Sequence, residues 1–220
     1  MMTQFLSVFG LDNVLFSLGG SSVSFVELLS VLLGLICVFL AGRGKVLNFW
    51  FGYVYNISLF LLFSQKHLYF SMMLQPISLI INFVGHYRWT HPSKDEADSN
   101  NQLKIMRLTA PITALYIILV TLLALLLGWA MTQVSLFWPD AFPPANQPYL
   151  DAFVTVTILT AQYLSAQKKF ECWMAWLVVN TTNIILYILA GLVFMPIVSA
   201  CYLVLAFFGI ASWRKIMKEQ

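Results

Sequence analysis

The chain reads as an all-α integral membrane protein, with seven transmembrane helices arranged as two matching three-helix units and one helix between them. Three observations lead there. Of the 220 residues 60% are hydrophobic and 10% charged, where a soluble domain carries about a quarter charged residues, and mean hydropathy is +0.81. Eleven of the twelve Lys and Arg fall in connections on one side of the apolar segments. The chain also matches itself when shifted by 124 residues.

Seven stretches are long and apolar enough to span a bilayer. They run approximately over 24–42, 47–63, 68–87, 108–131, 149–166, 172–190 and 192–212. Residues 1–23 have no Lys or Arg ahead of their apolar residues, so they lack the n-region of a secretory signal. Ending in Gly19-Gly20, they are expected to form an amphipathic helix at the interface. The first three-helix unit then occupies 24–89, a loop 90–107, the linker helix 108–131, a Pro-rich loop 132–148, the second unit 149–213 and a tail 214–220.

The connections alternate in character. "RGK", "HYRWTHPSKDEADSNNQLKIMR", "QKKFE" and "WRKIMKEQ" carry Arg43, Lys45, Arg88, Lys94, Lys104, Arg107, Lys168, Lys169, Arg214, Lys215 and Lys218, and only Lys66 falls on the other side. By the positive-inside rule the C-terminus is cytoplasmic and the N-terminus outside. The net charge of +3 is therefore a topology signal and implies no nucleic-acid partner. Cys37, Cys172 and Cys201 have neither CxxC nor His-rich spacing. They read as small packing residues, so no metal or cofactor is implied.

The shift of 124 places Glu27 on Asp151, Lys45 on Lys169, Asn56 on Asn180, Leu68 on Leu192, Gly85 on Gly209 and Trp89 on Trp213. The match runs without a gap over about 65 positions, about a dozen of them identical. Spans one to three thus correspond to spans five to seven. One helix between two three-helix units gives both the same orientation, a parallel repeat about an axis along the membrane normal, as in the SWEET sugar transporters. In such folds the solute site lies near the midplane between the repeats.

Polar residues inside the spans mark where that site would be. In "CWMAWLVVNTTNIILY", Trp173, Trp176, Asn180, Asn183 and Tyr187 are spaced three, four, three and four apart, which puts all five on one helical face. Span two offers Trp50, Tyr53 and Asn56. Span three offers Gln75, Ser78 and Asn82, span five Asp151, Thr155 and Gln162, and span seven Ser199 and Tyr202. Hydrocarbon supplies no hydrogen-bond partner, so each amide is answered by a neighbouring helix or by a ligand. Trp50 and Trp173, near span ends, suit an aromatic belt as well as a site. Glu27 and Asp151, near outer ends, read as solvated at the interface.

No Lys or Arg lies within any span. A phosphate or carboxylate solute would be left without a countercharge in low dielectric, so the expected solute is neutral or cationic. Tryptophan faces suit a flat cationic ring, and Asn and Gln suit an amide or sugar hydroxyls. No GxxxxGK[ST] is present for ATP. The histidines His67, His86 and His91 lie at helix ends or in connections, which leaves an intramembrane hydrolase without its base. Span seven lacks a lysine for retinal, and no carboxylate ring for an ion channel is evident. A transporter without enzymatic activity remains, and a sugar carrier of the SWEET type is its alternative.

"YLDAFVTVTILTAQYLSAQKKFE", "CWMAWLVVNTTNIILYILAGL" and "ACYLVLAFFGIASWRK" resemble the PnuC family of bacterial nicotinamide riboside transporters. So does "VLNFWFGYVYNISLFLLFSQKHLYFSMMLQ", with the "GHYRW" that ends span three. The resemblance covers about residues 25–214. It implies a SWEET-like three-one-three fold in the bacterial inner membrane and facilitated diffusion of nicotinamide riboside, trapped inside by a cytoplasmic riboside kinase. A homotrimer is compatible with it, and some relatives take other vitamins such as thiamin. Carried over, the pocket would comprise Trp173, Trp176, Asn180 and Asn183, with Gln162 and Trp50. Helical facing adds Gln75, Asn56, Asn82, Tyr187 and Tyr202.

Overall fold

The computed structural model of the chain describes residues 13–18, 21–65, 69–99, 101–137, 147–189 and 191–220. Two short strands, β1 (Val14–Leu18) and β2 (Ser21–Ser24), precede seven helices. These are α1 (Phe25–Gly42), α2 (Asn48–Gln65), α3 (Tyr69–Thr90), α4 (Ala110–Phe137), α5 (Pro148–Ala166), α6 (Cys172–Leu189) and α7 (Phe194–Glu219). By length and composition α1, α4, α6 and α7 are apolar enough to cross a membrane. The other three carry Asn48 and Asn56, Gln75 and Asn82, or Asp151 and Gln162, which lowers their hydropathy.

The described part of the N-terminal segment corrects the expectation of an interfacial helix. β1 and β2 pair antiparallel, and Phe25 N–H donates to the Asn13 carbonyl at 3.1 Å. The short apolar and Ser-rich runs Val14–Leu18 and Ser21–Ser24 pair as strands, and this wins here over helical amphipathicity. Positions 1–12 and the Gly19-Gly20 step lie outside the described residues.

The hairpin feeds directly into α1. Ser24 Oγ accepts from Glu27 N–H at 3.3 Å while the Glu27 carboxylate accepts from Ser24 N–H at 2.8 Å. This capping box satisfies two orphan donors of the first turn. Glu27 is 6% exposed, so its charge serves the helix end and is not solvated at the interface as expected.

Six helices close into a ring. α1 packs on α2, α2 on α3, α3 on α5, α5 on α6, α6 on α7, and α7 back on α1, while α4 packs chiefly on α5. The same contacts recur 124 residues apart. Trp89 Nε1 donates to the Ser165 carbonyl at 3.2 Å, and Trp213 Nε1 donates to the Ala41 carbonyl at 3.0 Å. Gly85 lies against Phe49 and Ala166, and Gly209 lies against their repeat mates Trp173 and Gly42. The two turns after α1 and α5 also agree. Lys45 N–H donates to Leu40 O and Lys169 N–H to Leu164 O, with Gly44 at φ 66° and Lys168 at φ 52°. A left-handed lysine is unfavourable where glycine is not.

The side chain of Lys168 explains why that residue is held there. Its Nζ donates to the Leu103 carbonyl and sits 4.8 Å from the Trp89 ring centroid. Residues 91–99 and 101–109 strap across this end of the bundle. Ile105 N–H donates to Gln220 Oε1, Met106 N–H to Lys168 O, Phe170 N–H to Met106 O, and Leu108 N–H to Glu171 Oε2. Arg88 and Glu96 close an ion pair at 3.0 Å beside it. Leu103 and Ile105 are thereby buried with Phe49, Trp89, Phe170, Trp173 and Trp213 in one apolar cluster.

Burial lowers the Lys168 pKa from 10.5 to about 8, against the opposing effect of Asp98. Between these values the unfolded chain binds more protons than the folded one, so folding gains stability as pH rises through that window. Wild type is therefore expected to gain melting temperature relative to Lys168→Met from about pH 8 to pH 10. Parallel pH profiles for the two proteins would contradict this assignment.

Candidate functional site

Steps of three, four, three and four residues hold a stripe on one helical face, because each pair of steps closes nearly two turns. α6 shows the result. Trp173 and Asn180 are buried and Trp176, Asn183 and Tyr187 half-buried, while Met174, Val178, Ile185 and Ile188 point outward. The neighbouring helices turn polar groups to the same interior. Asn56 on α2, Gln75 and Ser78 on α3, Thr157 on α5 and Ser199 on α7 are all buried, with Asn82, Gln162 and Tyr202 half-buried. Asn56 and Asn180 stand at the midpoints of α2 and α6. That is about 12 Å along each helix, close to the centre of a bilayer core about 30 Å thick.

Among the expected site residues, Asn180 and Asn82 show how the amides are engaged within the protein. Asn180 Nδ2 donates to the Trp176 carbonyl of its own helix at 2.8 Å, which uses one of the two amide hydrogens. Asn82 Nδ2 donates across to the Phe49 carbonyl at 3.0 Å. A Cβ at Gly52 would come within 2.8 Å of the Asn82 amide, so Asn82 bridges α2 and α3 through a gap only glycine leaves. Other interior polar atoms are unanswered. Gln162 Oε1, Ser30 Oγ and Trp173 Nε1 are buried and, among the described residues, have no hydrogen-bond partner. Each such group costs about 1–3 kcal/mol until something bonds it.

The two tryptophans near span ends, Trp50 and Trp173, differ in setting. Trp50 is 60% exposed and meets Tyr53 and His86 edge-on. Two successive steps of three drift about 120° around a helix, so Trp50 and Asn56 cannot share a face. Trp173 is 2% exposed, its indole pressed on Gly209 and T-shaped against Trp213 at 5.5 Å. Its ring is packing for the loop-end cluster in this conformation. Trp176 lies one turn deeper and only partly against that cluster.

Sequence reasoning passed over Gly34 and Tyr55. The Tyr202 hydroxyl occupies the place where a Cβ at Gly34 would stand, and the Tyr55 ring lies 3.0 Å from that place. The one available signal was a mismatch in the repeat: Gly34, Tyr55 and Tyr202 align with Ile158, Val179 and Ser78. Away from the stripe, a cavity of about 230 Å³ opens at the strapped end. Its lining mixes Arg43 and Lys168 with Asp98 and Glu219, so the charges balance.

Comparison with known proteins gives consistent results. The family described as nicotinamide mononucleotide transporter matches residues 24–215. A nicotinamide riboside transporter PnuC of Escherichia coli is 25% identical over 98% of this chain and 97% of its own length. One of Neisseria mucosa is 28% identical over 89% of this chain and 74% of its own length. A riboflavin/roseoflavin transporter RibM of Streptomyces davaonensis is 24% identical over 92% and 91%. A crystal structure of the vitamin B3 transporter PnuC superposes with a TM-score of 0.66, covering 89% of this chain and 83% of that one at 22% identity. That likeness shows a shared fold.

Proposed function

The chain belongs to the nicotinamide mononucleotide transporter family, that of PnuC, and from that premise we propose that it carries nicotinamide riboside across a bacterial inner membrane. The family description names the phosphorylated compound, whereas the relatives from Escherichia coli and Neisseria mucosa are named for the riboside. One observation favours the riboside here. Helices α1, α2, α4, α5 and α6 contain no Lys or Arg. Arg88 of α3, and Arg214, Lys215 and Lys218 of α7, lie at the strapped ends of their helices. A phosphate at mid-depth would be buried without a countercharge. A cationic nicotinamide ring carries no such penalty and is favoured over an indole face.

In this reading Trp176 stacks on the ring, and Asn180, Asn183, Gln162, Gln75 and Asn56 bond the carboxamide and ribose. The unanswered Gln162 Oε1 supports a ligand there, because a solute donor would relieve it. Trp173 backs the site as packing, and Tyr187 closes the stripe beyond Asn183. The six-helix ring acts as two units in a three-one-three, SWEET-like parallel repeat, with the N-terminus outside and the strapped, basic face cytoplasmic. Transport is uniport by alternating access, and a cytoplasmic kinase retains the solute as its phosphate. A homotrimer is compatible with the exposed apolar surface of α4.

Proteoliposomes holding the purified protein are expected to take up nicotinamide riboside down its gradient, without ATP or an ion gradient, and to exclude nicotinamide mononucleotide. Competition by excess thiamin, riboflavin and a neutral sugar separates the vitamin and SWEET-type alternatives. Uptake of the mononucleotide as fast as the riboside would overturn the charge argument.

A further inference from the structure

We propose that the outer face of the α1–α7 junction, at the basic end of the bundle, binds one anionic phospholipid, its phosphodiester held between Arg43 and Lys215. The site is a groove of about 490 Å³ lined by Phe39 and Arg43 from the end of α1 and by Phe208, Ala211, Ser212 and Lys215 of α7. The two helices run parallel here, since Gly34 faces Tyr202 and Gly42 faces Gly209. The paired glycines let the helices close up, and the Phe39 and Phe208 rings stack across the junction at 5.2 Å and 17°.

The groove is apolar first and basic last. Phe39 and Phe208 are both exposed and form its floor. Arg43 follows Phe39 by four residues and Lys215 follows Phe208 by seven, each on the same helical face. Both cations therefore stand about 6–10 Å nearer the basic end than the rings do. Arg43 Cζ is 5.7 Å from the Phe39 ring centroid, which keeps the guanidinium over that floor. Arg43 also lines the balanced polar cavity at the strapped end. The groove's own lining carries two cations and no carboxylate. Lys215 meets Glu219 at 4.0 Å, but both side chains are exposed and such a pair is weak. An acyl chain suits the floor and a phosphodiester suits the cations. A zwitterionic headgroup would bring a third positive charge to this rim, so the matching lipid is anionic.

The mirrored junction of α3 and α5 lacks this pattern. Its counterparts of Phe39, Arg43, Phe208 and Lys215 are Tyr163, Gln167, Val84 and His91. Arg88 beside it is spent on Glu96, and His91 is stacked on Tyr87 at 4.7 Å. A positive-inside bias alone places cations on a whole face, whereas a phenyl floor below two cations occurs at the α1–α7 side of the repeat. A lipid seated there touches both three-helix units, through Arg43 of the first and Lys215 of the second. Its leaflet, the cytoplasmic one, rests on the orientation proposed above; the groove and its charges do not.

Purified full chain in detergent micelles, titrated with phosphatidylglycerol or phosphatidylcholine and followed by native mass spectrometry, tests the site. Phosphatidylglycerol is expected to form an adduct of one lipid per chain, with an affinity about tenfold or more above that of phosphatidylcholine. Arg43→Gln with Lys215→Gln should abolish that advantage, at about fivefold per charge. Lys94→Gln with Lys104→Gln removes two charges outside the groove and should bind as wild type does. Equal affinity for the two lipids, or an equal loss in Lys94→Gln with Lys104→Gln, would overturn the assignment. So would displacement of phosphatidylglycerol by equimolar inorganic phosphate, because the apolar floor would then add nothing. Micelles have no leaflets and the titration needs no solute, so a failure of riboside uptake would sink the substrate reading and leave this result standing.

Discussion

Replacing Trp176 with alanine is expected to weaken nicotinamide riboside binding by about tenfold or more in calorimetric titration, which corresponds to about 1.4 kcal/mol. Trp176 is half-buried in the middle of the α6 stripe, above the amide of Asn180, so it is the tryptophan of the pair with a ring face left to offer. Trp176→Phe keeps an aromatic face and should lose much less. Asn180→Leu should weaken binding comparably while holding the helix, because its amide bonds within α6, to the Trp176 carbonyl. Titration of Trp176→Ala with undiminished affinity would remove the stacking role. Trp173→Phe, by contrast, is expected to change affinity by no more than about twofold, since a buried ring pressed on glycine has no face free.

The second large effect falls on folding. A Cβ at Gly209 would stand 2.5 Å from two atoms of the Trp173 indole, which is itself held by Trp213. Neither neighbour is a flexible chain end. Gly209→Ala should therefore cost about 1–3 kcal/mol and lower the melting temperature by about 5 °C or more. Gly85→Ala should behave alike, because its Cβ would meet Phe49 at 2.8 Å and Ala166 at 2.9 Å. Combining Gly209→Ala with Trp173→Phe trims the opposing ring and should recover part of the loss. An alanine tolerated at Gly209 without any change in melting would contradict this close packing of α6 on α7.

Much of this architecture was legible before any coordinates. Helices are local, so seven apolar stretches and their polar stripes could be read from composition and spacing. The duplication could be read because both copies solve the same packing problem. Gly85 and Gly209, Trp89 and Trp213, and Lys45 and Lys169 were matched by sequence and recur as matched contacts. The α6 stripe from Trp173 to Tyr187 emerged with its buried side as spaced.

Other features were hidden for identifiable reasons. The hairpin before α1 lost to a helical reading because the Gly19-Gly20 signal was taken as an ending. Trp50 was grouped with Asn56 by a spacing of three that drifts off-face over two steps. Glu27 was placed by depth alone, and the capping role came from its proximity to Ser24.

The sequence by itself determined the environment, the number of helices, the internal repeat and the inventory of interior polar groups. All of these follow from the order of side chains along one strand of backbone and from the solvent they can tolerate. Only the tertiary structure decided which of those groups are spent within the protein and which are left over. Asn82 is taken by Phe49 O, Trp173 by packing on Gly209, and Tyr202 by the notch at Gly34. Among the described residues, Gln162 Oε1 is left unbonded. A side chain's partner depends on what the ring brings opposite it from distant residues, and distance along the chain carries no record of that.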